Sequence, residues 1–212
     1  MIVLALDTCL DACSVAICED GRTLAKASQV MARGHQERLA PMAREVMAEA
    51  GLAFAALDRI SVTVGPGSFT GLRVGLAFAK GLALALDRPC IGIGTLEALA
   101  SGRPGFAAAC IDAHRGQAYL QIFIDGRSAM APDVLLTETA AARLAELYPG
   151  GPAVLIGSGA PLLAQALPGA EVLPEARPDP TVIAALAASA KTPLAPPRPL
   201  YLRAPDARPM SA

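Results

Sequence analysis

The chain opens on an apolar run, Ile2–Leu6, closed by Asp7, and a second apolar run, Cys13–Cys18, leads through Glu19-Asp20-Gly21-Arg22 into a third, Thr23–Ser28. Short apolar segments separated by turn residues predict three strands joined by tight turns. The period then changes. From Gln36 to Ala50, Leu39, Met42, Ala43, Val46, Met47 and Ala50 fall at i, i+3, i+4, i+7, i+8 and i+11, while Glu37, Arg38, Arg44, Glu45 and Glu49 lie off that face, which predicts an amphipathic helix. Strand Ile60–Val64, helix Gly71–Leu86, strand Cys90–Ile93 and a short helix Thr95–Ala100 come next. The second half reads as strands Ala107–Ile111, Ala118–Ile124 and Val154–Gly157, with helices Glu138–Tyr148, Ala160–Leu167 and Pro180–Ala190. Hairpins succeeded by strands alternating with helices predict an α/β chain with a mixed sheet and helices packed on it.

Gly102-Arg103-Pro104-Gly105 ends regular structure and divides the chain into an N-terminal lobe, 1–102, and a C-terminal lobe, 103–212. The second lobe begins much as the first does. Asp7, Asp20, Gly21 and Arg22 recur as Asp112, Asp125, Gly126 and Arg127, each 105 positions later, and an apolar run precedes both leading aspartates. A constant offset across a strand, an aspartate and a hairpin turn predicts a duplicated unit. The tail, Pro193 to Pro199, reads as extended polyproline outside the core.

The helix Gly71–Asp87 needs cover on more than one side. Its charged side chains, Arg73, Lys80 and Asp87, recur every seven residues and form one narrow stripe on an otherwise apolar or small surface. Gly71, Gly75 and Ala79 at four-residue spacing leave a groove for a second helix. That helix belongs either to the same lobe or to another subunit. Because so short a chain has few elements left to cover two faces, a subunit interface is expected on Leu39, Met42, Val46, Gly71, Gly75, Phe78, Ala79 and Leu82, with Gly75→Arg as its test.

Eighteen basic against nineteen acidic residues give a net charge of −1, so no chain-wide positive field holds a polyanion. The N-terminal run lacks a basic leader and is cut by Asp7. No uninterrupted apolar stretch reaches the ~18–20 residues of a membrane span, the nearest, Val74 to Leu86, being broken by Lys80. The five cysteines, Cys9, Cys13, Cys18, Cys90 and Cys110, sit mostly in strand-like runs and are expected reduced, buried and cytoplasmic.

Two features carry candidate chemistry. Asp7 and Asp112 each end the first strand of a lobe, as a turn-capping aspartate also does. Val64-Gly65-Pro66-Gly67-Ser68-Phe69-Thr70-Gly71-Leu72-Arg73-Val74-Gly75 joins a strand to a helix, where backbone donors and the helix dipole can hold an anion beside Arg73. The run is neither a Walker loop nor a dinucleotide fingerprint, and it serves equally as a tight turn with Ser68 or Thr70 as N-cap. Two strand-opened lobes with paired aspartates resemble actin, sugar kinases and chaperone ATPases, whose aspartates face a nucleotide and magnesium. That resemblance implies a cleft formed by Asp7, Thr8, Gly67, Ser68, Thr70, Arg73 and Asp112. His35 and His114 are the only histidines, 79 positions apart, and no HExxH, CxxC or GxSxG motif occurs.

Gly65 to Gly75, with Ala79-Lys80-Gly81-Leu82-Ala83 after it, resembles the signature of the TsaB (YeaZ) family. So do Leu4-Ala5-Leu6-Asp7-Thr8 with Cys13-Ser14-Val15-Ala16, His35-Gln36-Glu37-Arg38-Leu39, Asp112-Ala113-His114-Arg115-Gly116-Gln117-Ala118-Tyr119, and Tyr201-Leu202-Arg203. The sequence departs from the family pattern at Gln36, where serine is usual, and at His114, where arginine is usual. The resemblance implies a two-lobed actin-like fold and a non-catalytic subunit. Such a subunit pairs with and activates the TsaD-type transferase that modifies tRNA adenosine, binds a TsaE-type ATPase, forms a homodimer when alone, and meets tRNA only through the complex. Thr95-Leu96-Glu97-Ala98-Leu99 stands where the transferase carries a two-histidine metal motif, and neither threonine nor leucine can replace those ligands. No cofactor of its own and no membrane are expected, ATP or ADP belonging to the assembled complex. A free-standing ATPase or small-molecule kinase is the alternative reading.

Overall fold

The computed structural model describes residues 1–174, 177–193 and 195–203. The first sheet has the order β3-β2-β1-β4-β5, formed by β1 (Ile2–Asp7), β2 (Ala12–Glu19), β3 (Arg22–Val30), β4 (Arg59–Thr63) and β5 (Cys90–Ile93). Its first three strands form antiparallel hairpins, whereas β4 and β5 run parallel to β1, each reached through a helix. Alternation along the strands separates two faces. Leu4, Leu6, Val15, Ile17, Ile60 and Val62 pack beneath helices α1 (His35–Glu49) and α2 (Phe69–Leu86). Val3, Ala5, Ala16, Ile91 and Ile93 face the opposite way.

The second sheet repeats the plan with β6 (Phe106–His114), β7 (Gln117–Ile124), β8 (Arg127–Ser128), β9 (Asp133–Leu136), β10 (Ala153–Ile156) and β11 (Glu171–Leu173), in the order β11-β10-β6-β7-β8 with β9 also on β7. Helices α4 (Thr137–Leu147) and α5 (Ala160–Leu163) cover Phe106, Ala108 and Cys110 on one face. The turns between paired strands repeat closely. Asp20 and Asp125 both take φ 48°, and the glycine after each is left-handed, a conformation glycine enters without a Cβ penalty. Asp20 and Asp125 also accept from the amino group of Met1 and the amide of Gly105 respectively, closing the two hairpins alike.

The repeat is not in register throughout. Asp7 stands opposite Ser14, whereas Tyr119, 105 positions after Ser14, stands opposite Ile111. A one-residue slip sends a side chain to the other face of a sheet. Ile111, not Asp112, therefore occupies the place equivalent to Asp7, which corrects the pairing read from the sequence offset.

The lobes also exchange helices. Between β5 and β6, α3 (Thr95–Ala100) lays Leu96, Leu99 and Ala100 against Ala107, Ala109 and Ile111 of the second sheet. Conversely, α6 (Pro180–Ser189) returns to the first sheet and buries Ile183, Ala184 and Ala187 on Val3, Ala5 and Ile91. The sheets divide near residue 103, but a C-terminal lobe of 103–212 is too large by its last helix. Asp179 caps α6 and Arg59 of β4 donates to the carbonyls of Ala187 and Ala190 at 2.7 Å, so both ends of the returning helix are satisfied.

The tail is likewise not free of the core. Pro197 packs on Gly92 of β5, and the Leu200 amide donates to the Val64 carbonyl at 2.8 Å. Each of the five cysteines is buried and unpaired, as the sequence indicated. By length and composition α2 is apolar enough to cross a membrane, with a mean hydropathy of 1.4, but Gly71, Leu72, Gly75, Leu76, Ala79 and Ala83 are buried against the protein.

Candidate functional site

The glycine loop folds down on the end of β1. Ser68 donates its amide to the Cys9 carbonyl at 2.7 Å and caps α2 by accepting from the Gly71 amide. A Cβ at Gly67 would strike the Cys9 carbonyl, and one at Gly71 the Thr8 carbonyl. At Gly75 it would come 2.5 Å from Thr8 Oγ1, whose hydroxyl donates to the Gly71 carbonyl. The three glycines let helix and loop lie directly on β1. The donors of Ser68, Gly71 and Leu72 are bonded within the protein, so the loop is a packing device more than an anion cradle.

Asp7 is sealed beneath it with no solvent exposure. Its Oδ1 accepts from Thr63 Oγ1 at 2.6 Å and from the Cys9 amide at 3.1 Å, while Oδ2 has no partner among the described residues. Burial pushes the Asp7 carboxyl up to about 6 despite the Thr63 and Cys9 bonds. The Cys9 thiol is pushed up to about 12 by the same burial and is no thiolate nucleophile.

A cleft of about 970 Å³ lies between the lobes. Gly67, Ser68 and Asp112 line it; Asp7 and Thr8 are buried behind it, and Thr70 and Arg73 face away. The seven residues expected to form one nucleotide or anion cleft are therefore divided, because the loop closes over β1 and the second aspartate is out of register. Asp112 accepts from the amide of His114, whose Nδ1 is 3.4 Å from Oδ2, and its own amide donates to Ser158. Arg177 spans the cleft to Asp11 with two bonds of 2.9 and 2.7 Å.

The second cavity, about 490 Å³, lies between α1 and α2 on the outer face and is lined by Gln36, Leu39, Ala40, Phe69, Thr70, Arg73, Val74, Ala77 and Phe78. Arg73 lies over the Phe69 ring at 5.0 Å. Phe69 is 51% exposed and Leu84, further along α2, 85%. Leu39, Met42, Val46, Gly71, Gly75 and Ala79 are buried inside the lobe, so the four-residue stripe receives β1 and β4, not a second subunit's helix. Phe78 and Leu82 remain partly exposed, and Ala77 and Leu84 complete the outward face. Gly75→Arg would disrupt the core and cannot test an interface. Phe69 escaped the sequence reading because it lies outside the heptad stripe, at the loop's own junction with α2.

The model for the TsaD domain, described as tRNA N6-adenosine threonylcarbamoyltransferase, matches residues 27–158. The tRNA threonylcarbamoyladenosine biosynthesis protein TsaB of Escherichia coli (strain K12) is 39% identical over 124 residues, 56% of this chain and 53% of its own length. A Pseudomonas aeruginosa crystal structure, described as having similarity to peptidase YEAZ, is 31% identical with a TM-score of 0.81, covering 95% of this chain and 99% of its own. The chain belongs to the TsaB (YeaZ) family. The matched part spans about half the length of the Escherichia coli relative. ROK hexokinase from Thermus thermophilus, 17% identical with a TM-score of 0.51 over 87% of this chain and 98% of its own, shares the fold alone, the actin-like sugar kinase architecture. Three of the motifs that resemble the TsaB family reach the cleft: the glycine loop through Pro66–Phe69, the second-lobe hairpin through Asp112, Ala113, His114 and Tyr119, and Tyr201-Leu202-Arg203.

Proposed function

We propose that this chain is a non-catalytic subunit required for threonylcarbamoyl modification of the tRNA adenosine adjacent to the anticodon. It pairs with a TsaD-type transferase and activates it, binds a TsaE-type ATPase in the same complex, and forms a homodimer when alone. Its action is cytoplasmic, tRNA is engaged through the complex, and ATP or ADP is held there and not by this chain alone. The observation that carries the reading is the α1–α2 groove. An apolar surface of Phe69, Val74, Ala77 and Phe78, ringed by Gln36, Thr70 and Arg73, has the aromatic centre and polar rim of a protein-binding patch.

Two features support a supporting role over chemistry. In α3, Thr95, Leu96, Ala98 and Leu99 are buried as packing residues where the transferase is expected to hold metal. The sealed Asp7 is also poorly placed to position magnesium, which weighs against the ATPase or kinase alternative. The test is reconstitution of threonylcarbamoyl transfer to tRNA by the purified TsaD-type paralogue with and without this chain. Transfer is expected only when the chain is present; magnesium-dependent ATP turnover by the chain alone, lost in Asp112→Asn, would replace this reading by the enzyme one.

A further inference from the structure

Tyr201-Leu202-Arg203 is the one family motif to which the fold and the docking groove give no work, and its contacts are not those of a loose tail. Upstream of it, Pro197 sits on Gly92 in the first lobe, close enough that a Cβ there would come 2.7 Å from its ring. The Leu200 amide donates to the carbonyl of Val64, the residue after β4, at 2.8 Å. The Tyr201 ring then meets Phe69 at 5.5 Å, still on the first lobe. Two residues later, Arg203 Nη1 donates to the Ala113 carbonyl of β6, in the second lobe, at 2.9 Å. Leu200, Tyr201, Leu202 and Arg203 all line the cleft between these anchors.

We propose that residues 197–203 are a strap that fixes the opening of the interlobe cleft, with Arg203 as its latch on the second lobe. Among the described residues the two sheets are also joined by the exchanged helices, by Leu10 packing on the second-lobe cluster and by Arg177 reaching Asp11. A bond from a charged donor to a β6 carbonyl ties the second lobe to a segment anchored on the first and limits rotation about the exchanged helices. The strap's seat is shared with the docking face, because Phe69 walls both the cleft and the α1–α2 groove.

The test measures the distance between spin labels at Glu49→Cys and Arg127→Cys, exposed sites on the first and second lobes, in the otherwise full chain. The unmodified strap is expected to give one narrow distance distribution. Arg203→Ala, which removes the latch side chain alone, is expected to raise the ratio of longer-distance to native population roughly tenfold, as loss of one charge-assisted bond would. Leu200→Pro, which removes the Val64 bond, is expected to do the same from the other anchor. Melting temperatures near that of the parent show that the fold is kept. An unchanged single distribution in Arg203→Ala overturns the proposal, whatever the chain's partner proves to be, because the measurement needs no partner.

Discussion

Gly71→Val is expected to lower the melting temperature by about 8–16 °C, the consequence of roughly 4 kcal/mol in a chain of this size. The first added carbon would meet the Thr8 carbonyl, a buried backbone atom just past the end of β1, and relief requires α2 to lift from that turn. The loss would spread to Thr8 Oγ1, whose bond to the Gly71 carbonyl ties the same contact. Gly81→Ala on the same helix meets nothing within 4 Å and is expected to stabilise by about 0.5–1 kcal/mol through helix propensity. Thermal melts of the pair separate close approach from backbone entropy: shifts of opposite sign are required, and a neutral Gly71→Val would show that helix and strand are not in contact.

Asp7→Asn is expected to change the slope of stability against pH. The folded carboxyl sits at about 6, above its unfolded value near 3.8, so the native state holds the proton more tightly. The stability this contributes is complete below the unfolded value and is lost as pH rises through about 6, an effect of about 3 kcal/mol. The asparagine variant carries no such slope. The neutral amide also avoids burying a charge, so at pH 8 the variant is expected to equal or exceed the parent in denaturant melts. A variant weaker than the parent by the same margin at pH 5 and pH 8 would mean that Asp7 is held ionised by partners, contrary to its burial.

Much of the fold was legible because hydrophobic period and burial agree. The α1 face of Leu39, Met42, Val46 and Met47 is buried as the spacing required, and the long strands β1, β2, β6 and β7 fall where the apolar runs do. The strands β8, β9 and β11 were not legible: β8 and β11, of two and three residues, are too short to carry a period, and β9 is placed by its pairing with β7. The exchange of α3 and α6 between lobes also left no local signal, as an apolar helix does not name the sheet it covers.

The site was legible as a set of residues but not as an arrangement. Asp7 and Asp112 share an offset in sequence, and only cross-strand register reveals that they face different ways. The small-residue stripe of α2 was read as an opening for another chain; its tightness is instead spent on the end of β1, and the outward-facing residues are its neighbours Ala77, Phe78 and Leu84. Spacing finds the stripe, but a glycine row fits a strand of the same lobe as well as a helix of another.

The most direct test of the central claim is titration calorimetry of this chain against the TsaD-type paralogue, repeated with Ala77→Arg. Ala77 is exposed on α2 and lines the groove, so arginine there is compatible with the helix and obstructs only what docks on it. The account predicts saturable one-to-one binding and a loss of about 100-fold or more in affinity on substitution, with the melting temperature unchanged. Undiminished binding by Ala77→Arg, or no binding by the parent chain, would contradict it.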